Sequence, residues 1–372
     1  MIVKNVNIFR TNGTFEKGDI IIEKERFAEA TSDNTVMDGE GCYAIPGLTD
    51  VHFHGCMGYD FCDGTEEAIS AMAEYELANG VTAINPATMT LSEELLMPIA
   101  RAAAAHENKT GADLVGINME GPFLSMEKKG AQNPDYIQNP NIEMFRRLQK
   151  ESGGLFKLCD IAPELDGAME FIDALKDEVR ISIAHTCADY DIAKKAFDHG
   201  ASQVTHLFNA MNPLTHRAPG VIGAAAENEN VYAELICDGV HVHPSAIRAA
   251  FKLFGDDRIV LISDSMMATG KPDGQYSLGG QDVTVKGSYA TLTHGGNLAG
   301  SVTNLLDCMR FVVKNVGIPL GSAVKCAAIN PAKSVGIFEN YGSIEQGKLA
   351  NLVLLDDNLD VTRIIKRGTV VR

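Results

Sequence analysis

The chain has 372 residues, 45% hydrophobic and 22% charged, with a formal net charge of −17. That balance disfavours nucleic acid and anionic membrane surfaces as partners, because phosphate-rich surfaces need a basic footprint. No stretch approaches the ~20 apolar residues of a membrane span, MIVKNVNIFR lacks the apolar core of a signal peptide, and eight scattered cysteines without a CxxC pair fit reduced thiols in the cytoplasm.

The first ~44 residues read as β structure: IVKNVNIF alternates, and GDIIIEKERFAEA follows a turn without helical period. Eight apolar runs come next, at roughly 44–51, 82–87, 114–119, 156–161, 180–184, 202–205, 231–237 and 258–263. Helix-like segments separate them. EEAISAMAEYELANG carries apolar residues at helical spacing and ends on Gly80, a C-cap signal. LSEELLMPIARAAAAHE, DYDIAKKAFDHG and HPSAIRAAFKLFG behave alike. Eight such alternations over ~270 residues predict an α/β protein with a (β/α)8, TIM-like barrel. An irregular, Gly-rich insertion is expected from Met266 to Gly300, before the helix SVTNLLDCMRFVVKNVG completes the last unit. From about 342 the chain turns β again. Head and tail are each too short to fold alone, so we expect a small β-sandwich domain built from 1–44 and 336–372, beside a barrel at 45–335.

Five apolar runs end in residues of metal-ligand type. His52 and His54 close AIPGLTDVHFH, Glu120 closes LVGINME, His185 closes RISIAH, His206 closes SQVTH, and Asp264 closes RIVLISD. Catalytic groups at the carboxyl ends of parallel strands are the habit of α/β barrels. Any one of these histidines could be an ordinary buried polar residue, but their joint placement points to a divalent metal centre. Side chains alternate along a strand, so HFH aims His52 and His54 at one ion. Glu120 can bridge to a second ion held by His185 and His206. The nitrogen and oxygen donors suit Zn²⁺ first, with Fe²⁺, Mn²⁺ or Co²⁺ as alternatives, at one or two ions per chain. A metal lowers the pKa of its water toward ~7, and Asp264 can take that water's proton and return it to a leaving amine. His106 and His199 on predicted helices, and His216 and His294 in loops, read as structural or solvated.

The chain resembles the amidohydrolase superfamily and, within it, the N-acetylglucosamine-6-phosphate deacetylase family, nearly end to end. The motifs are PGLTDVHFHG, MEGPFL, KKGAQNP, AHT, THLFNAM, HRAPGVIGAA, DGVHV, SDSMMATG, LAGS and NPAKSVGI. The resemblance implies hydrolysis of the acetamide of N-acetylglucosamine 6-phosphate to glucosamine 6-phosphate and acetate. It implies Glu120, His185 and His206 as metal ligands and Asp264 as the acid/base. Ala131, Gln132, Asn209, Ala210, Arg217, His241, Leu298, Ala299 and Gly300 fall at its substrate contacts. It also implies a homodimer in which Arg217 reaches the partner subunit's site, where a planar guanidinium fork suits a phosphate. The chain departs from the family in three places. Some members carry Gln and Asn where His52 and His54 stand, and bind one metal. Gln132 stands where His is common, and Asn351 replaces the usual Asp of GKxAD. Two other functions compete: another amidohydrolase such as a deaminase or aminoacylase, which would leave Arg217 unpaired, and a non-catalytic sugar-phosphate sensor, which would have no use for Asp264.

Overall fold

The computed structural model describes residues 1–372. Head and tail strands meet in one eight-stranded sheet. Ile2–Phe9 pairs antiparallel with Phe15–Glu23 and parallel with Val36–Asp38 and Tyr43–Pro46. The tail strand Leu352–Leu355 pairs with Tyr43–Pro46, and Val361–Lys366 and Thr369–Val370 extend the sheet beyond it. The sheet curls, since Arg26 at one end bridges to Leu349 just before the tail strand. Its inner face buries Val6, Ile8, Ile22, Phe27 and Leu354 in a core of their own.

A second, parallel sheet carries the chemistry. Its strands are β1 (Leu48–Asp50), β2 (Val81–Ile84), β3 in two pieces (Asp113–Leu114 and Ile117–Met119), β4 (Phe156–Ile161), β5 (Arg180–Ile183), β6 (Gln203–Val204), β7 (Tyr232–Ile236) and β8 (Ile259–Ile262). Neighbours pair in sequence order and in parallel. A parallel bridge between Ala87 and Asn118 carries the curl across the break in β3. The segments that follow β1 and β8 meet: Asp264 N–H donates to the His52 carbonyl (2.9 Å), and His54 N–H to that of Ser265 (2.7 Å). This is a curled parallel sheet of TIM-barrel type with a small second domain.

Helices α1 (Glu66–Ala78), α2 (Glu93–Ala105), α3 (Ile142–Glu151), α4 (Ala168–Leu175), α5 (Tyr190–His199), α6 (Gly220–Glu227), α7 (Pro244–Phe254) and α8 (Leu305–Phe311) connect the strands. Their starts are sequence-coded: the side chains of Thr65 and Asp189 accept from the N–H groups of Ala68 and Ile192. Pro244 occupies the first turn of α7, where no N–H is needed. No helix is long and apolar enough to cross a membrane.

The structure departs from the sequence expectations in two places. The apolar run 44–51 is split between the two sheets, with Gly47 at the changeover. A Cβ on Gly47 would stand 2.2 Å from Thr82 Oγ1, so only glycine lets the chain pass there. The insertion at 266–300 is not irregular: Gly274–Leu278, Gln281–Lys286 and Tyr289–Leu292 form an antiparallel meander. Its first turn, Gly279–Gly280, has both residues at positive φ, as two-residue hairpins require. Leu278, Val283 and Leu292 pack onto Met89, Ala131 and Ala299, so the meander roofs the carboxyl end of the sheet.

Small domain and parallel sheet are locked together by ions. Asp113 on β3 is fully buried; it pairs with Lys366 Nζ (2.8 Å) and Arg367 (3.1 Å) and accepts from the Tyr341 hydroxyl (2.8 Å).

Candidate metal centre and active site

His52 and His54 follow β1, Glu120 follows β3, His185 follows β5, His206 follows β6 and Asp264 follows β8, each one to four residues past its strand end. All six are at most 8% exposed. His185, His206 and Asp264 adopt left-handed backbone, at φ 43, 30 and 49. Non-glycine residues hold that conformation only where surroundings force it. Here their carbonyls are pinned by the N–H groups of Ser125 (2.9 Å), Asn209 (2.9 Å) and Ser301 (2.7 Å). The corner turns each side chain inward over the strand ends.

The side chains make two triplets that share one carboxylate: His52, His54 and Glu120, and Glu120, His185 and His206. Glu120 Oε2 is 3.1 Å from His54 Nε2 and 3.7 Å from His52 Nε2. Glu120 Oε1 is 3.0 Å from His185 Nε2 and 3.3 Å from His206 Nε2, and those two nitrogens are 3.1 Å apart. Tetrahedral ligands with bonds of ~2.0–2.1 Å lie roughly 3.3 Å from one another, so the second triplet has the spacing of an ion's ligand shell. His185 Nδ1 donates to the Lys128 carbonyl (2.8 Å), which leaves the Nε2 lone pair facing inward. The buried His52 Nε2 has no hydrogen-bond partner, an unmet need that a cation would satisfy. Asp264 Oδ1 stands 3.3 Å from His54 Nε2 and 3.8 Å from His52 Nε2.

The field favours positive charge. Burial would push His54 down, but hydrogen bonds to Asp264 and Glu120 outweigh it and hold it up at about 10. His52 is likewise raised, against its burial, by Glu234 and Glu120. Burial would raise Glu120 and Asp264, yet the facing histidines keep both carboxyls below their usual range. Protons on His52 and His54 thus stand where cation charge fits, and the residues suit a divalent ion.

A cavity of about 360 Å³ opens over this cluster. His54, Glu120, His185, His206 and Asp264 form its floor; Ala131, Gln132, Asn209, Ala210, His241, Leu298 and Gly300 form its walls. His52 lies fully buried beneath. The Gln132 side chain is engaged at both ends: Nε2 donates to Glu120 Oε2 (2.8 Å), and Oε1 accepts from Thr90 N–H (2.7 Å). His241 Nδ1 is bonded to Asp238 (2.7 Å), which raises its pKa against the effect of burial. Two expected residues do not line the cavity. Ala299 is buried in the core under the meander, and Arg217 is exposed on the loop before α6. Sequence reasoning missed Met89, Glu127, Lys128, Gly130, Leu278 and Asn297 in the wall. It also missed Glu234, hydrogen-bonded to His52 (2.9 Å), whose signal is a lone charge inside the apolar strand YAELI.

Fold and site together define a metal-dependent hydrolase of amide bonds. The Amidohydrolase family profile matches residues 43–371. The chain is 35% identical over 383 residues to N-acetylglucosamine-6-phosphate deacetylase of Bacillus subtilis (strain 168), covering 100% of this chain and 96% of that one. It is 33% identical to N-acetylgalactosamine-6-phosphate deacetylase of Escherichia coli O157:H7, covering 87% and 86%. A mutant N-acetyl-D-glucosamine-6-phosphate deacetylase from Mycobacterium smegmatis, solved in complex with N-acetyl-D-glucosamine-6-phosphate, superposes with a TM-score of 0.92 at 31% identity, covering 100% and 99%. The chain belongs to the amidohydrolase family and, within it, to the N-acetylglucosamine-6-phosphate deacetylases.

Proposed function

We infer that the chain hydrolyses the acetamide of N-acetyl-D-glucosamine 6-phosphate, giving D-glucosamine 6-phosphate and acetate. The observation that carries this reading is the pair of triplets sharing Glu120, with Asp264 beside His54 on the floor of a sugar-sized cavity. End-to-end identity to deacetylases supports it.

His52, His54 and Glu120 would hold one ion, and Glu120, His185 and His206 the other. A bound ion lowers the pKa of a water toward ~7 and polarises the acetamide carbonyl. Nitrogen and oxygen donors favour Zn²⁺. Asp264 takes a proton from the attacking water as the new C–O bond forms. It gives that proton to the amide nitrogen as the C–N bond breaks, which yields the amine and acetic acid; the water's second proton then passes from the acid to the amine, so the products leave as acetate and the ammonium form of the amino sugar. With its Nδ1 held by Asp238, His241 keeps Nε2 for the substrate. Ala131, Leu298 and Gly300 shape the wall around the acyl group, with Ala299 backing them and Gln132 holding Glu120 in place. The 6-phosphate sits on the Asn209–Ala210 turn. Arg217 of the partner subunit completes that site in a homodimer, which fits its exposed position outside its own cavity.

On this reading the β strands at 1–44 and 336–372 make a small sandwich-like domain on a closed (β/α)8 barrel at 45–335. The hydrogen bonds between the segments after β1 and β8 support closure. Eight free cysteines and the sugar-phosphate substrate fit a cytoplasmic enzyme.

The Escherichia coli relative favours a second reading, the galactosamine epimer or a related N-acylated amino-sugar phosphate. Acetate release from a panel of N-acetylhexosamine 6-phosphates, each beside its unphosphorylated partner, separates the two. No release from any phosphorylated member would refute both.

A further inference from the structure

We propose that Glu234, in the middle of β7, is a positioning residue that serves both ligand triplets at once. Its side chain is fully buried, and its two oxygens do different work. Oε1 is held from within the sheet: it accepts from Gln203 Nε2 on β6 (2.6 Å), and Gln203 Oε1 in turn accepts from the Ser334 hydroxyl (2.5 Å). Oε2 faces the site. It lies 2.9 Å from His52 Nδ1 and accepts from the backbone N–H of His206 (3.3 Å).

The first contact fixes a tautomer. A carboxylate can only accept, so His52 Nδ1 must carry the hydrogen. The lone pair is then at Nε2, the nitrogen 3.7 Å from Glu120 Oε2 and 3.8 Å from Asp264 Oδ1. Partners of this kind orient a ligating imidazole and raise its basicity. The second contact fixes a corner of backbone. His206 stands at φ 30, and its N–H bond to Glu234 helps hold the turn from which its ring reaches Glu120 Oε1 (3.3 Å). One carboxylate oxygen thus sets a side chain of the first triplet and the backbone of the second. The chain from Ser334 through Gln203 keeps Glu234 from rotating away.

The proposal rests on the two-triplet reading of the site, and the test separates them. Wild-type, Glu234→Gln and Glu234→Ala proteins are loaded with zinc, dialysed against graded chelator, and analysed for zinc per chain. Wild-type stoichiometry tests the two-triplet reading by itself; should it be one, the same variants still test Glu234 on the remaining ion. Glu234→Ala is expected to release zinc at roughly 10–100-fold lower chelator strength than wild type. Glu234→Gln keeps shape and an acceptor oxygen, so it should fall between the two. The melting temperatures of the zinc-free proteins are measured alongside. A lowered melting temperature with zinc affinity unchanged would mean that Glu234 only supports the core, and the proposal would be overturned. If Glu234→Ala does not fold, Glu234→Gln decides: weaker zinc retention sustains the proposal, and wild-type retention overturns it.

Discussion

Arg217 is the residue whose position in the chain and proposed role differ most. It is exposed, outside the cavity formed by its own chain, on the loop between the Asn209–Ala210 turn and α6. Replacing it by Ala removes a guanidinium that can make two parallel bonds to a dianionic phosphate. Charge-assisted hydrogen bonds contribute ~1.5–3 kcal/mol each, so losing one or both lowers kcat/KM by at least ten- to hundredfold, at roughly 1.4 kcal/mol per decade. Acetate release from the phosphorylated substrate should fall by that factor, while the slow reaction of N-acetylglucosamine stays almost unchanged. The cross-subunit role is tested by mixing. Asp264→Asn chains and Arg217→Ala chains should each keep no more than about a tenth of wild-type activity alone, and a hybrid dimer contains one site with both residues intact. Free exchange of equal amounts makes half the dimers hybrid, so about a quarter of wild-type activity should return. An equal loss with both substrates would make Arg217 a structural residue. A loss confined to the phosphate substrate, with no recovery on mixing, would confine Arg217 to its own subunit's site.

Four further outcomes can be checked. Asp264→Asn in metal-loaded protein should lower kcat by on the order of 10²-fold or more with substrate binding retained, read by steady-state and equilibrium titration; near-normal turnover would move the proton transfer to another group. Elemental analysis should give about two divalent ions per chain, falling to about one when His52 and His54 are replaced together; indifference to that double change would remove the first triplet. Exhaustive chelation should lower the melting temperature, because ligand at ~1,000 times its Kd contributes about 4 kcal/mol to the folded state; an unchanged transition would mean that the ions bind weakly. Asp113→Ala strands Lys366 without its carboxylate at the domain junction and should cost about 3–5 kcal/mol. Spread over the unfolding entropy of a chain this long, that is roughly 4–6 °C by calorimetry, and a shift under one degree would refute the clamp.

The parallel sheet was legible because its strands are continuous apolar runs and its helices begin and end on recognisable caps such as Thr65, Asp189 and Gly80. Less legible were features fixed by contacts between distant segments. The run from Ala44 to Leu48 is apolar throughout, and nothing in it marks where pairing passes from Leu352–Leu355 to β2; the near-contact of Gly47 with Thr82 decides that. The meander at 274–292 did have local signals, in the two-glycine turn and the alternation of QDVTVK. They were outweighed by the glycines spread through 266–300, which made the segment read as an irregular loop.

For the site, residue type and strand-end position were enough to single out His52, His54, Glu120, His185, His206 and Asp264, because few structural needs put so many ligating groups at successive strand ends. The sequence did not carry the angle at which they converge. That depends on left-handed backbone at His185, His206 and Asp264, a conformation that Asp and His adopt more readily than most side chains but too seldom to be read from sequence. It depends as well on hydrogen-bonded neighbours that sequence reading treats as core. Glu234 sits inside the apolar strand β7 and Gln203 opens the short, buried β6 beside it, where a polar side chain without a partner would cost several kcal/mol. Such residues persist only if something buried needs them, and here it is His52. A lone charge within a buried strand, two residues from the strand's end, therefore deserves the same scrutiny as the ligands themselves. Substrate-wall residues such as Leu278 and Asn297 follow a different logic: they come from the roof rather than the strand ends, so shape alone recruits them. Discrimination between hexosamine epimers turns on one hydroxyl's direction, and the roof and wall are where residues can respond to it without disturbing the ligands below.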